Sequence, residues 1–124
     1  MKRHSQRAHR VGDEIQRELS QILRDEIKDP RVGRVTITGV EVSADLSHAK
    51  VFFTHLAGRA EAEEAERALQ HTAGFLRSEL ARRLSLYSVP QLHFAYDASI
   101  ESGMELSRLI DDAVAADRKA PSGS

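Results

Sequence analysis

The stretch HTAGFLRSELARRL, His71 to Leu84, decides how the chain is read. Leu76, Leu80 and Leu84 recur at helical spacing. Gly74 stands at the start of that pattern, and an interior glycine costs a helix about 1 kcal/mol relative to alanine. Upstream, Ala62, Ala65, Leu69 and Thr72 form a second helical stripe that ends near Ala73. The two stripes predict two helices meeting at a joint of small residues, Thr72, Ala73 and Gly74. Such a joint presents the amides of the second helix to an anion. A missing Cβ at Gly74 lets a phosphate strand come close. Arg77 follows within the first turn, and Arg82 and Arg83 lie further along. The competing roles for Gly74 are relief of crowding and a helix C-cap.

Working outward, AGRAEAEEAE before the joint places acids in the first turns of a helix, where the dipole favours them. RVTITGVEVS, Arg34 to Ser43, alternates β-branched residues as a strand does. Its alternation changes phase at Gly39, from Val35 and Ile37 to Val40 and Val42, and a bulge there restores one buried face. AKVFFTHL, Ala49 to Leu56, is the second strand of an antiparallel hairpin. Beyond the joint, SVPQLHFAYD is a third strand with Leu92, Phe94 and Tyr96 on one side. At the front, Val11, Ile15, Leu19, Ile22 and Leu23 predict a helix from about Ala8 to Ile27, stopped by Asp29-Pro30. At the back, Leu106, Leu109, Ile110, Ala113 and Val114 predict a last helix, started by Ser102 with Glu105, or earlier by Asp97 or Ser99.

The order is α-β-β-α-α-β-α. It predicts an α+β sandwich, a three-stranded sheet with helices on one face. Residues 1–7 read as a flexible basic N-terminus, 8–117 as one domain and 118–124 as a disordered tail. A glycine joint between two helices beside a sheet follows the logic of a KH domain, which clamps a short run of nucleotides there. The bacterial, type II KH order is this one without its last helix. KH domains carry G-x-x-G at the joint, whereas this chain has one glycine.

The charge pattern agrees with a polyanion partner. The net charge of −1 hides segments of alternating sign: +3 over residues 1–34, −3 over 35–70, +2 over 71–96 and −3 over 97–124. Folding that gathers the basic segments makes a basic face on a neutral protein. Arg3, Arg10, Arg17 and Arg24 are seven apart and share a side of the first helix. Either they form a solvated face tied by pairs such as Arg10–Glu14, or the N-terminal end, including Arg7, meets RNA.

Several short motifs together resemble one known family. They are Asp29-Pro30-Arg31-Val32, Val40-Glu41-Val42-Ser43, Asp45-Leu46, Ala49-Lys50-Val51-Phe52, Gly74-Phe75-Leu76-Arg77, Val89-Pro90-Gln91-Leu92 and Phe94-Ala95-Tyr96-Asp97, with Ser99 and Gly103 after them. In this order, from about Arg7 to Leu109, they resemble ribosome-binding factor A, a bacterial assembly factor of the small ribosomal subunit. The family has a KH-like fold with a kinked Ala-x-Gly joint, and here threonine stands in the alanine position. The resemblance implies a non-catalytic factor that binds the immature small subunit and its 16S precursor RNA. It implies a role in late maturation, especially in the cold, alongside a GTPase and other assembly factors.

The RNA contacts expected on this reading are Arg3, Arg7, Arg10, Arg31, Lys50, Thr72, Ala73, Gly74, Arg77, Arg82 and Arg83. Arg31 serves equally as part of a structural turn, and Lys50 carries a similar ambiguity. Base stacking is expected to add little, because most aromatics fall on core faces. About six phosphate contacts would lose roughly a thousandfold in affinity between 50 and 200 mM salt.

Other classes find less support. The chain has no cysteine, so it holds neither disulfides nor thiolate metal sites. His48 and His55 point to opposite faces of a strand and make no metal pair. Ser99 has no evident base, and Gly12, Gly33, Gly39 and Gly58 compose no phosphate loop. No catalytic residue, metal or cofactor is expected. No apolar run approaches the ~20 residues of a membrane span, and no secretory h-region is present. The expectation is a cytoplasmic monomer. A small-molecule sensing or dimerisation module on a similar sandwich is the alternative.

Overall fold

The structure, a computed structural model, describes residues 2–86, 88–99, 109–111 and 113, with side chains from Gln6 onward. Helix α1 (Lys2–Asp25) buries Val11, Ile15, Leu19, Ile22 and Leu23 along one side. It begins at Lys2 rather than near Ala8, so its first turns take in the stretch expected to be loose.

Strands β1 (Val35–Val42) and β2 (His48–His55) form the expected antiparallel hairpin. Ile37 faces Phe53 and Gly39 faces Phe52, which leaves Thr38 as the extra residue of a bulge. The bulge turns Val40 and Val42 to the same core as Val35 and Ile37. In the turn, Asp45 accepts the Ser43 and Ser47 hydroxyls at 2.7 Å and the Ser47 amide at 3.1 Å. These donors, the Ser47 hydroxyl first, hold its carboxyl down at about 2. They also brace Leu46 at φ 63, a left-handed conformation that costs a non-glycine residue about 1–2 kcal/mol.

Strand β3 (Gln91–Tyr96) lies parallel to β2, giving the order β1-β2-β3. Parallel neighbours need a long crossover. Helices α2 (Arg59–His71) and α3 (Ala73–Arg83) supply it. One sheet face, with Ile37, Ala49, Val51, Phe53, Leu92 and Phe94, meets Ile15, Leu19 and Ile22 of α1, Ala65 and Leu69 of α2, and Leu76 and Leu80 of α3. This is the α+β sandwich that the order of elements predicts, with the described helices on one face.

Two close contacts set the helices against the sheet. A Cβ at Gly12 would lie 2.6 Å from the Val40 carbonyl oxygen, so α1 reaches β1 only because Gly12 has none. Glutamines meet part of both sheet edges. Gln16 Nε2 donates to the Ile37 carbonyl at 3.3 Å. Gln70 donates to the Leu92 carbonyl at 3.0 Å and accepts the Phe94 amide at 3.4 Å, as a neighbouring strand would.

Asp97, just past β3, accepts the Ser99 amide at 2.9 Å, and Ser99 is helical; both are among the starts expected for a last helix. Residues 109–111 and 113 are helical, and Leu109 and Ile110 are exposed rather than on a core face. Leu106, Val114, the Ser102–Glu105 pair and the tail at 118–124 lie outside the described residues.

Candidate nucleic-acid interface

Thr72 alone separates α2 from α3, at φ −91 and ψ 0. Its amide donates to the Ala68 and Leu69 carbonyls, each at 3.1 Å. Its hydroxyl donates to the Ala68 carbonyl at 2.8 Å. A hydroxyl bonded back four residues bends a helix, so threonine supports the break. The amides that cap α2 donate back to Ala68, Leu69 and Gln70. The joint therefore offers fewer free amides than the sequence reading expects.

Gly74 is exposed, and nothing lies within 4 Å of the place its Cβ would occupy. Its backbone is not in the left-handed region, where among the described glycines only Gly58 sits. Relief of crowding and a left-handed C-cap are both excluded as its role. Neither packing nor backbone conformation demands glycine at this surface position.

The arginines around the joint are engaged. Arg77 is half-buried and donates to the Pro90 and Val89 carbonyls at 3.1 and 2.8 Å, tying α3 to the chain entering β3. Arg82 forks onto Glu79 at 2.6 and 2.7 Å, and this pairing lowers the Glu79 carboxyl. Arg83 clamps α3 to α1 through Glu18 and Gln21, both at 3.2 Å, and reaches Glu26 at 2.5 Å. Its guanidinium is stabilised further in the charged form, chiefly by Glu18. Arg31 forks onto Asp29 at 3.0 and 2.6 Å and holds that carboxyl at about 2. Each of these four arginines, which the sequence assigns to phosphate contact, already has partners inside the protein.

Arg7 and Arg10 are exposed on α1 with no acid partner among the described residues. The side chain of Arg3 lies outside the described residues. Lys50 projects from the sheet face opposite the helices, its ammonium 5.3 Å from the Phe52 ring centroid. Arg67, which the sequence reading passes over, is exposed on α2 four residues before His71, also without an acid partner among the described residues. Its signal was its place opposite Ala62, Ala65 and Leu69 on the helix. The basic positions do not gather at the joint. The joint lies on the β3 side, where Gln70 meets Leu92, whereas Arg7 and Arg10 ride α1 on the β1 side.

Among the described residues no group of three or more His, Cys, Asp or Glu is placed to hold a metal ion. None of the described helices is long and apolar enough to cross a membrane. The helix pair broken at Thr72, the bulged hairpin and the parallel third strand are one arrangement, and the sequence pattern of ribosome-binding factor A matches residues 7–110. The chain belongs to the ribosome-binding factor A family. A family member from Thioalkalivibrio sulfidiphilus is 57% identical over 118 residues, covering 95% of this chain and 92% of that one. The crystal structure of ribosome-binding factor A from Thermus thermophilus matches with a TM-score of 0.65 at 29% identity, over 72% of this chain and 94% of that one. A homology model of the Thermus thermophilus factor, fitted into a cryo-EM map of a 30S complex, matches with a TM-score of 0.53 at 28% identity, over 68% and 93% of the two chains.

Proposed function

We propose that this protein binds the immature small ribosomal subunit through its 16S precursor RNA, as a non-catalytic cytoplasmic factor of late maturation. A GTPase and other assembly factors are its expected companions. The observation that carries the reading is family membership over nearly the whole chain, together with a related protein fitted into a 30S complex. The geometry supports it at Gly74, a glycine that the fold does not require, on an open surface beside a helix break. The interruption at Thr72 and the open surface at Gly74 leave room for a sugar-phosphate strand to pass close to the main chain. Arg3, Arg7 and Arg10 supply charge from α1, and Lys50 from the sheet. Arg31, Arg77, Arg82 and Arg83 serve the fold first and reach RNA only by exchanging partners.

Counting the first four cations alone, affinity falls by roughly a hundredfold between 50 and 200 mM salt, less than six contacts would give. The experiment is co-sedimentation with free small subunits across that range, with assembled ribosomes as the comparison. Association with small subunits that weakens steeply with salt supports the reading. No association at low salt, or equal association with assembled ribosomes, overturns it.

A further inference from the structure

His48, Lys50 and Phe52 alternate along the central strand β2, so all three project from the face opposite the helices. Ala49, Val51 and Phe53 between them are fully buried on the other side. In register, Phe52 has Gly39 on one flank and Ala95 on the other, and the large side chain against its ring is Lys50, whose ammonium lies 5.3 Å from the centroid. His93 is the register partner of Lys50 and leans towards His48. The two imidazoles have centroids 5.1 Å apart, planes 35° apart and one nitrogen of each 3.0 Å from the other. His48, Lys50 and His93 are exposed, and Phe52 is half-buried. Glu41 is the acid facing Lys50 across the hairpin, and Asp45 is committed to Ser43 and Ser47.

We propose that this face is a stacking platform for unpaired RNA. One base lies on Phe52, another on the His48–His93 pair, and Lys50 moves from the Phe52 ring to the phosphate strand between them when a base stacks. A face carrying rings, an ammonium and no broad apolar surface suits a single strand better than a packing helix. Bases stack on aromatic and imidazole rings regardless of sequence. Phe52 and His48 are four residues apart on a strand, about 13 Å, so each takes its own base. Glu41 offsets part of the Lys50 charge, so stacking outweighs phosphate attraction here. The inference rests on the RNA-binding reading above. It adds a second surface, away from the joint, and a preference for single strands.

The test uses the full chain and a single-stranded oligoribonucleotide labelled with 2-aminopurine, beside a duplex of equal length and purified small subunits. Phe52→Leu removes one ring. His93→Ala opens the other and, being exposed, leaves the melting temperature unchanged. Each variant is expected to bind the single strand about five- to a hundredfold more weakly, with the slope of affinity against salt unaltered. The wild type is expected to bind the duplex less well. Unchanged single-strand affinity in folded His93→Ala, or duplex binding as tight as single-strand binding, overturns the platform. If the wild type bound no small subunits at all, the RNA-binding reading would fall first. If it bound them and folded His93→Ala kept full oligonucleotide affinity, only the platform would fall.

Discussion

Thr38 donates a hydrogen bond of 2.6 Å to Asp97 across the central strand, joining the bulge of β1 to the residue that follows β3. The same carboxylate accepts the Ser99 amide, so one ionised group fastens the bulge to the chain leaving β3. Its hydrogen bonds, those from Ser99 first and then from Thr38, lower its carboxyl below the ordinary range. A lowered carboxyl stabilises the fold above its unfolded value, near 3.9, and loses that contribution as pH falls through the folded value. Asp97→Ala is therefore less stable than wild type at neutral pH, and the gap closes in acid. Thr38→Val removes one bond and costs about 1 kcal/mol. Urea unfolding at neutral and acid pH measures both, and a gap that widened in acid would contradict the assignment.

Two glycines respond in opposite directions to alanine. At Gly12 the new methyl would meet the Val40 carbonyl at 2.6 Å, forcing α1 off β1. The expected cost is about 1–3 kcal/mol. At Gly74 the methyl enters open space on a helix, so stability rises by about 0.5–1 kcal/mol. If RNA passes there, Gly74→Ala is more stable than wild type and binds small subunits more weakly. Thermal melts and co-sedimentation of the two variants separate fold from function.

Adjacent arginines on α3 differ in the same way. Arg83, 24% exposed, holds α3 to α1, whereas Arg82, 69% exposed, pairs only within its own helix. Arg83→Ala should lower the melting temperature, and more so at low salt, where charges are screened less. Arg82→Ala should leave it almost unchanged, as exposed pairs contribute little. Differential scanning calorimetry at two salt concentrations checks the contrast.

Charge reversal on α1 tests the interface directly. Arg7 and Arg10 hold no acid among the described residues, so Arg7→Glu with Arg10→Glu should leave stability near that of wild type. Association with small subunits should weaken, and the salt slope should flatten by about two contacts. An unchanged slope would move the electrostatic surface elsewhere.

Much of the fold was legible because local patterns carry it. The change of phase at Gly39 announced the bulge, which falls on the neighbouring Thr38. The small residues at 72–74 announced the break. The alanines and leucines at helical spacing named the buried sides of α2 and α3. What stayed hidden depends on partners distant in the chain. Nothing near Gln91–Tyr96 says that β3 runs parallel to β2. Nothing near Arg83 says that Glu18 of α1 and Glu26 just past its end will claim it. A run of basic residues reads as a binding surface until the tertiary fold brings acids or carbonyls to it. Gly12 looked like an ordinary helix glycine until β1 arrived beneath it.

The glutamines that cover part of both margins of the sheet bear on how these molecules meet one another. A three-stranded sheet with bare margins is a seed, since any extended segment can add to it and leave a fresh margin behind. Gln70 takes one carbonyl and one amide of the β3 margin and Gln16 one carbonyl of the β1 margin, so a segment adding at those points must first displace a side chain.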